Sequence, residues 1–242
     1  KYAGSYLGII WAFIQPVITV LVYWFVFEVG FRGGSDSLPV PFVLYLVAGI
    51  IPWFFFQDGL TGGTNSLLEY SYLVKKVVFN ISVLPVVKIL SAVFVHLFFI
   101  VFITFLYCCY GHFPDLYYLQ LLYYLAGLLL LILGLSYLTS AVVVFFRDLS
   151  QMISIALQIG IWLTPIMWVA EDKLIHYPLL YKILKLNPVY YIVMGYRDAF
   201  IYKHWFWERP LWTAYFWCFV IGVLWLGTRV FKKLRVHFAD VI

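Results

Sequence analysis

Charge is what this sequence has least of. Only 16 Lys and Arg and 11 Asp and Glu occur among 242 residues, or 11%. A soluble domain carries about a quarter, so this chain cannot cover a water-facing surface. Catalytic motifs are missing too. There is no G-x-x-x-x-G-K-[ST] phosphate loop, no H-E-x-x-H helix and no G-x-S-x-G elbow, so nothing points to a catalytic residue in this chain. Cysteine is scarce. Cys108, Cys109 and Cys218 lie inside apolar runs, are odd in number and lack metal-ligand spacing. They read as structural filler and supply no metal site. No secretory pattern of basic start, short apolar core and cleavage site is visible. The chain opens on Lys1 rather than Met, which points to further sequence before it.

What is present is apolar: 65% hydrophobic residues, 22% aromatic, and a mean hydropathy of +0.97. A helix needs roughly 20 apolar residues to cross the bilayer core. Six segments qualify, at about 7–29, 40–60, 83–110, 116–146, 149–170 and 210–228. The fourth is uncharged throughout and longer than the bilayer core, so it should tilt or project. These continuous runs argue for helices over a barrel of short alternating strands. The fold class expected is an all-α polytopic membrane protein with six transmembrane helices, forming one transmembrane domain over 1–242. An external helical region spans 171–206 and a tail spans 229–242. Asn187-Pro188 reads as an N-cap followed by proline at the first helical position. It divides the external region into two short helices that dip into the membrane edge; a seventh span is the alternative. Eight basic residues fall on one side and seven on the other, which does not orient the chain. The tail "RVFKKLRVHF" packs its charges against a span and favours cytoplasmic termini.

In that orientation "FFRDL" is a short cytoplasmic turn that interrupts two long apolar runs. Asp148 with Gln151 resembles a capping box for the fifth span. That leaves Arg147 unexplained. In the preceding cytoplasmic loop, Thr64 or Asn65 is placed to cap a short helix over Ser66 to Tyr72. Two short helical elements facing the cytoplasm point to docking on a soluble partner. Inside the spans, Lys88 lies near the start of the third and is placed to snorkel to the surface. His96 sits deeper, as either a helix-to-helix bond or a conduit residue. Glu28 and Asp58, the only acids within reach of the membrane, fall near span ends, which disfavours proton-coupled transport.

The segments "YLGIIWAFIQP", "YWFVFEVGFRGG", "LVAGIIPWFFF", "NSLLEYSYLVKKVVF", "VLP", "FFRDL", "LTPIMW" and "KLNPVYYIVMGYRDAF" occur in this order. Their order resembles the membrane subunits of type-2 ABC polysaccharide exporters, the teichoic acid, O-antigen and capsule permeases. "FRGG" and "KLNPVYYIVMGYR" resemble the teichoic acid permeases most. The resemblance implies a homodimer with two cytoplasmic ABC ATPase subunits, where ATP and Mg are bound. It also implies a polymer cargo carried on undecaprenyl diphosphate, in the plasma (inner) membrane of a bacterium. By the same resemblance, Glu69, Tyr70 and Tyr72 with Arg147 and Asp148 form the two coupling elements. Lys1, Tyr2, Leu7, Gly8 and Trp11 are the candidates for lipid headgroup access. An aromatic conduit, whose many weak contacts let a sugar chain slide, draws on Phe13, Gln15, Trp53, Phe54, Trp162 and Trp168. Gln15-Pro16 and Thr164-Pro165 each free a backbone carbonyl for a partner, either the conduit or a neighbouring helix. Asn187, Pro188, Tyr190, Tyr191 and Arg197 are assigned to an outer gate, with an amphipathic lid as the alternative. A membrane glycosyltransferase is the rival class. It would need an acidic cluster in a cytoplasmic loop, and none appears.

Overall fold

A computed structural model describes residues 10–30, 38–74, 80–170, 174 and 176–238. The described residues are almost wholly helical. Helix α1 is Trp11–Trp24, continued by a wider π-type turn over Phe25–Gly30. Helix α2 is Phe42–Glu69 and α3 is the single turn Ser71–Val74. Helix α4 is Val83–Cys109; α5 is Gln120–Val143, entered through a 3-10 turn at Leu116–Leu119. Helix α6 is Leu149–Leu163, α7 is Pro178–Lys185, α8 is Pro188–Arg197, and α9 is Pro210–Leu234.

Five of these helical stretches are long and apolar enough to cross a membrane: Trp11–Gly30, Phe42–Glu69, Val83–Cys109, Leu116–Val143 and Pro210–His237. The fifth predicted span, 149–170, is the exception. Helix α6 has 15 residues, about 22 Å of rise against a core of about 30 Å. Proline explains the stop. Thr164 takes an extended conformation (φ −78°, ψ 130°), as a residue before proline is forced to do.

Helix α2 is the axis of the bundle. In its most apolar stretch 78% of residues are buried, and its neighbours are α4, α5, α6 and α8. Helices α5 and α9 cross on glycine. A Cβ at Gly227 would lie 2.2 Å from the Gly134 carbonyl oxygen, so the backbones touch. At the end of α9 the tail turns back and buries Phe238 beside Phe231 and Phe145.

Two expected caps do not form. Asp148 precedes α6 in a helical conformation and makes no side-chain cap bond. Thr64 and Asn65 do not start a new helix, because α2 runs through them to Glu69. Thr64 is buried instead, with its hydroxyl 2.7 Å from that of Thr139 on α5. Asn187 does cap: its Oδ1 accepts the Val189 N–H at 3.0 Å, with Pro188 at the first position of α8.

The two short helices expected between the last two predicted spans form as α7 and α8, and they differ in burial. Helix α7 is exposed on most of its length, but every residue of α8 from Val189 to Arg197 is buried. It inserts between α2, α5 and α9. Gly195 makes this possible, since a Cβ there would sit 2.2 Å from the Tyr124 ring.

Candidate functional site

The two predicted coupling elements meet at one end of the bundle. Glu69 closes α2 and is exposed; Arg147 and Asp148 are exposed in the turn between α5 and α6. Ser150 donates to Asn65 Oδ1 at 2.7 Å, which ties the start of α6 to the last turns of α2. Lys88, expected to reach for the surface, pairs with Glu69 and lies 4.8 Å from the centre of the Tyr70 ring. Tyr70 in turn meets Tyr72, whose ring is exposed. A cluster of Leu67, Leu84, Ala141, Val144, Phe231 and Phe238 lies beneath, so these loops rest on a packed floor.

The conduit candidates do not share one surface. Phe13 packs edge-on against Phe98 of α4, at 4.5 Å between ring centres. Trp53 is buried and Phe54 half-buried within α2. Gln15 and Trp162 are exposed, on α1 and α6, whose rings Tyr23 and Trp162 meet at 6.4 Å. Trp168 donates its indole N–H to the Trp162 carbonyl at 3.1 Å, folding the chain after α6 back on the helix end. Two further glutamines stand on α6, of which Gln151 is read from the sequence only as part of a capping box and Gln158 is not singled out. Gln151 and Gln158 are exposed on α6, with Ser154 half-buried between them at i+3. That spacing is readable in the sequence, although length and apolarity alone define the predicted span. Of the headgroup candidates, Trp11 is half-buried at the start of α1, whereas Lys1, Tyr2, Leu7 and Gly8 lie outside the described residues.

The outer-gate assignment needs correction. Tyr190, Tyr191 and Arg197 are 1%, 3% and 0% exposed, so within one subunit they face its interior and not a passing polymer. Tyr191 bonds with Thr213 and Tyr123, and Trp217 donates to Tyr123 at 2.7 Å. This polar net joins α8 to α5 and α9. Asn187 Nδ2 donates to Thr164 Oγ1 at 3.0 Å, linking the start of α8 to the end of α6.

Arg197 serves the backbone just past the break at Thr164-Pro165. Its Nη1 donates to the Pro165 carbonyl and its Nη2 to the Ile166 carbonyl, both at 2.7 Å. The guanidinium lies 3.6 Å from the centre of the Tyr45 ring on α2. These two carbonyls follow the break and are satisfied from a neighbouring helix; the carbonyl that Pro165 itself deprives of an N–H is that of Ile161, four residues earlier. Tyr45 carries no local sequence signal for this role; it comes from a span far upstream. His96 resolves likewise as a helix-to-helix bond, 2.8 Å from the Tyr196 hydroxyl and stacked on Phe55.

At the other end of the bundle, Asp198 meets Arg209 through both carboxylate oxygens, at 2.9 and 3.2 Å. Burial pushes the Asp198 carboxyl up to about 6 against the pull of Arg209. The exposed Glu208 carboxyl is held below its ordinary value by the Trp205 N–H and by His204.

Residues 1–201 match the ABC-2 type transporter family, and the chain belongs to it. Over 245 residues it is 26% identical to an O-antigen export system permease protein RfbA of Klebsiella pneumoniae, covering 100% of this chain and 90% of that protein. A protein of the same name from Myxococcus xanthus is 26% identical over 246 residues, with the same coverage.

Proposed function

We propose that this chain is the membrane-spanning permease subunit of an ATP-driven exporter that moves a lipid-linked cell-surface polysaccharide outward across the plasma membrane. One structural observation carries this reading beyond the family. Helices α1 and α6 leave Gln15, Gln151 and Gln158 exposed within an apolar bundle. An amide facing hydrocarbon without a partner costs several kcal/mol, about 4–8 by transfer to an alkane. These faces therefore belong against a second copy or a water-filled path. Two copies meeting through α1 and α6 would enclose such a path, lined by glutamine amides and by Trp162, groups that suit a sugar chain. The Glu69–Tyr72 and Arg147–Asp148 elements would dock on two cytoplasmic ATPase subunits, where ATP and Mg are bound, and both termini of the chain would be cytoplasmic. The relatives' names favour an O-antigen-type polymer. Teichoic acid on undecaprenyl diphosphate is the second reading, favoured by "FRGG" and "KLNPVYYIVMGYR".

The test has two arms. A tagged subunit from native membranes should bring down an ABC ATPase, and depletion should accumulate lipid-linked glycan inside the cell, with mass spectrometry of the repeat unit naming the cargo. Absence of both sinks the proposal. Cysteine at position 15 should react with a water-soluble reagent in at least one nucleotide state. No labelling in any state places Gln15 in a dry helix contact.

A further inference from the structure

Beneath α6 lies a cavity of about 350 Å³, bounded by α2, α5, α6, α9 and the start of α8. Trp53, Phe56, Leu131, Ala156, Gly160 and Phe219 form much of its wall. Its depth follows from the helices. Trp53 stands 11 residues inside the start of α2 and Leu131 the same distance inside α5, each about 16 Å along the axis. The cavity thus sits within the hydrocarbon layer. Its polar side chains are nearly all committed to the protein: Thr139 to Thr64, and Thr164 and Asn187 to each other. Of the described residues that line the cavity, Trp53 alone has a buried side-chain polar atom without a partner, its indole N–H. A single donor cannot hold a sugar, an ion or a cluster of water, which needs two to four polar partners.

We propose that this cavity binds one acyl chain of a membrane phospholipid, which props α6 against the bundle. The volume is at the small end for a ligand pocket, enough for one chain and far too small for a long polyprenyl carrier. Phospholipid is also the ligand in overwhelming excess in the surrounding medium. Helix α6 needs such support. Only Leu157 and Ile161 are buried among its 15 residues, and its polar ties to the bundle lie near its ends, at Ser150 and just past Leu163. The inference does not depend on which polymer is carried.

The test is photo-crosslinking of the full chain, with its partner subunits, in nanodiscs. One arm uses a phosphatidylcholine with a mid-chain diazirine; the other uses a polyprenyl phosphate bearing the same group. Phospholipid adducts should concentrate on 153–160 of α6 and 131–139 of α5, above the lipid-facing Ile221 and Trp225 of α9. Ala156→Phe should remove the excess on α5 and leave labelling of α9 unchanged. Ala156→Leu serves if the larger side chain prevents folding, and should reduce the excess in part. Uniform labelling of all faces, labelling insensitive to the filled cavity, or adducts from the polyprenyl probe alone would each overturn the proposal.

Discussion

Helices α1 and α2 are neighbours in sequence and similarly apolar, yet their fates differ. In the most apolar stretch of α2, 78% of residues are buried; in that of α1, none is. Helix α6 sides with α1, and the ten-residue α8, which carries an arginine, sides with α2. Hydropathy therefore does not sort these helices. What sorts them is where each finds partners for its polar atoms. Helices α2 and α8 satisfy most of theirs inside one subunit, through Thr64, Tyr191 and Arg197. Helices α1 and α6 carry glutamines that are exposed and make no side-chain hydrogen bond among the described residues, which is what the proposed contact with a second copy or a water-filled path would use.

The sharpest way to break this contrast is to remove the partner on which the inner set depends. Arg197→Ala leaves the Pro165 and Ile166 carbonyls buried without donors and opens a hole beside Tyr45. Loss of two charge-assisted bonds in that setting should destabilise the subunit by about 3–5 kcal/mol, read as a fall in melting temperature in detergent. Arg197→Lys should recover only part of it, since an ammonium keeps the charge but cannot reproduce the planar fork that serves both carbonyls at once. A melting temperature unchanged by the alanine would show that α8 is not held by this contact.

Next in size is the crossing of α5 and α9. Gly227→Ala places a methyl group 2.2 Å from a backbone oxygen that cannot move without its helix. The expected cost is about 2 kcal/mol. Gly222, which has open space around it, is the control and should accept alanine freely. Equal effects at the two positions would mean that the helices are not packed on Gly227.

How much of this was legible without coordinates depends on the range of the interaction. The long apolar runs over 83–110 and 116–146 are local signals, and α4 and α5 fall on them to within a few residues. Asn187-Pro188 is local too, and its cap forms. The break at Thr164-Pro165 was visible as a proline but was absorbed into a span, because the residues after it are just as apolar. The burial of α8 was not legible at all. Arg197 and Asp198 look like surface residues, and the carbonyls that neutralise the cost of burying Arg197 lie 31 and 32 positions away. The cap assigned to Thr64 failed for the same reason, because its partner is Thr139, across the bundle; Asp148 makes no cap bond at the start of α6. The proposed coupling elements are legible as interruptions in apolar sequence, but the Glu69–Lys88 tie to α4 and the Asn65–Ser150 tie to α6 are not.

The outer set predicts the opposite pattern of effects. Ile159→Ala removes apolar surface that is 54% exposed within the subunit. Its cost to subunit melting should stay below about 0.5 kcal/mol, as for most surface changes. If α6 faces a second copy, the same change should lower the yield of copy-to-copy crosslinks from a cysteine at position 155. Unchanged crosslinking, or a melting loss as large as that of Gly227→Ala, would put α6 in a different relation to the bundle.

The smallest effect on stability is expected at the end of α2, where the proposed coupling residue Glu69 meets Lys88 of α4. Glu69 is half exposed and Lys88 largely covered, so their ion pair is screened by water on one side. Pairs of this kind contribute about 0.2–1 kcal/mol. A double-mutant cycle of Glu69→Gln and Lys88→Met should return a coupling energy within that range. Its consequence for turnover is a separate quantity. The pair joins the last turn of α2 to the second turn of α4, and the Tyr70 ring leans on the same Lys88 ammonium. A partner subunit pushing on Tyr72 would move all three together, and breaking the pair would let the loop yield without moving α4. Glu69→Gln should therefore leave melting and assembly with the ATPase almost intact while lowering polymer-stimulated ATP hydrolysis. Hydrolysis at the wild-type level in both single variants would show that the pair only decorates the end of the bundle. A loss in Glu69→Gln that Lys88→Met does not reproduce would assign the effect to the exposed carboxylate itself, meeting the ATPase directly.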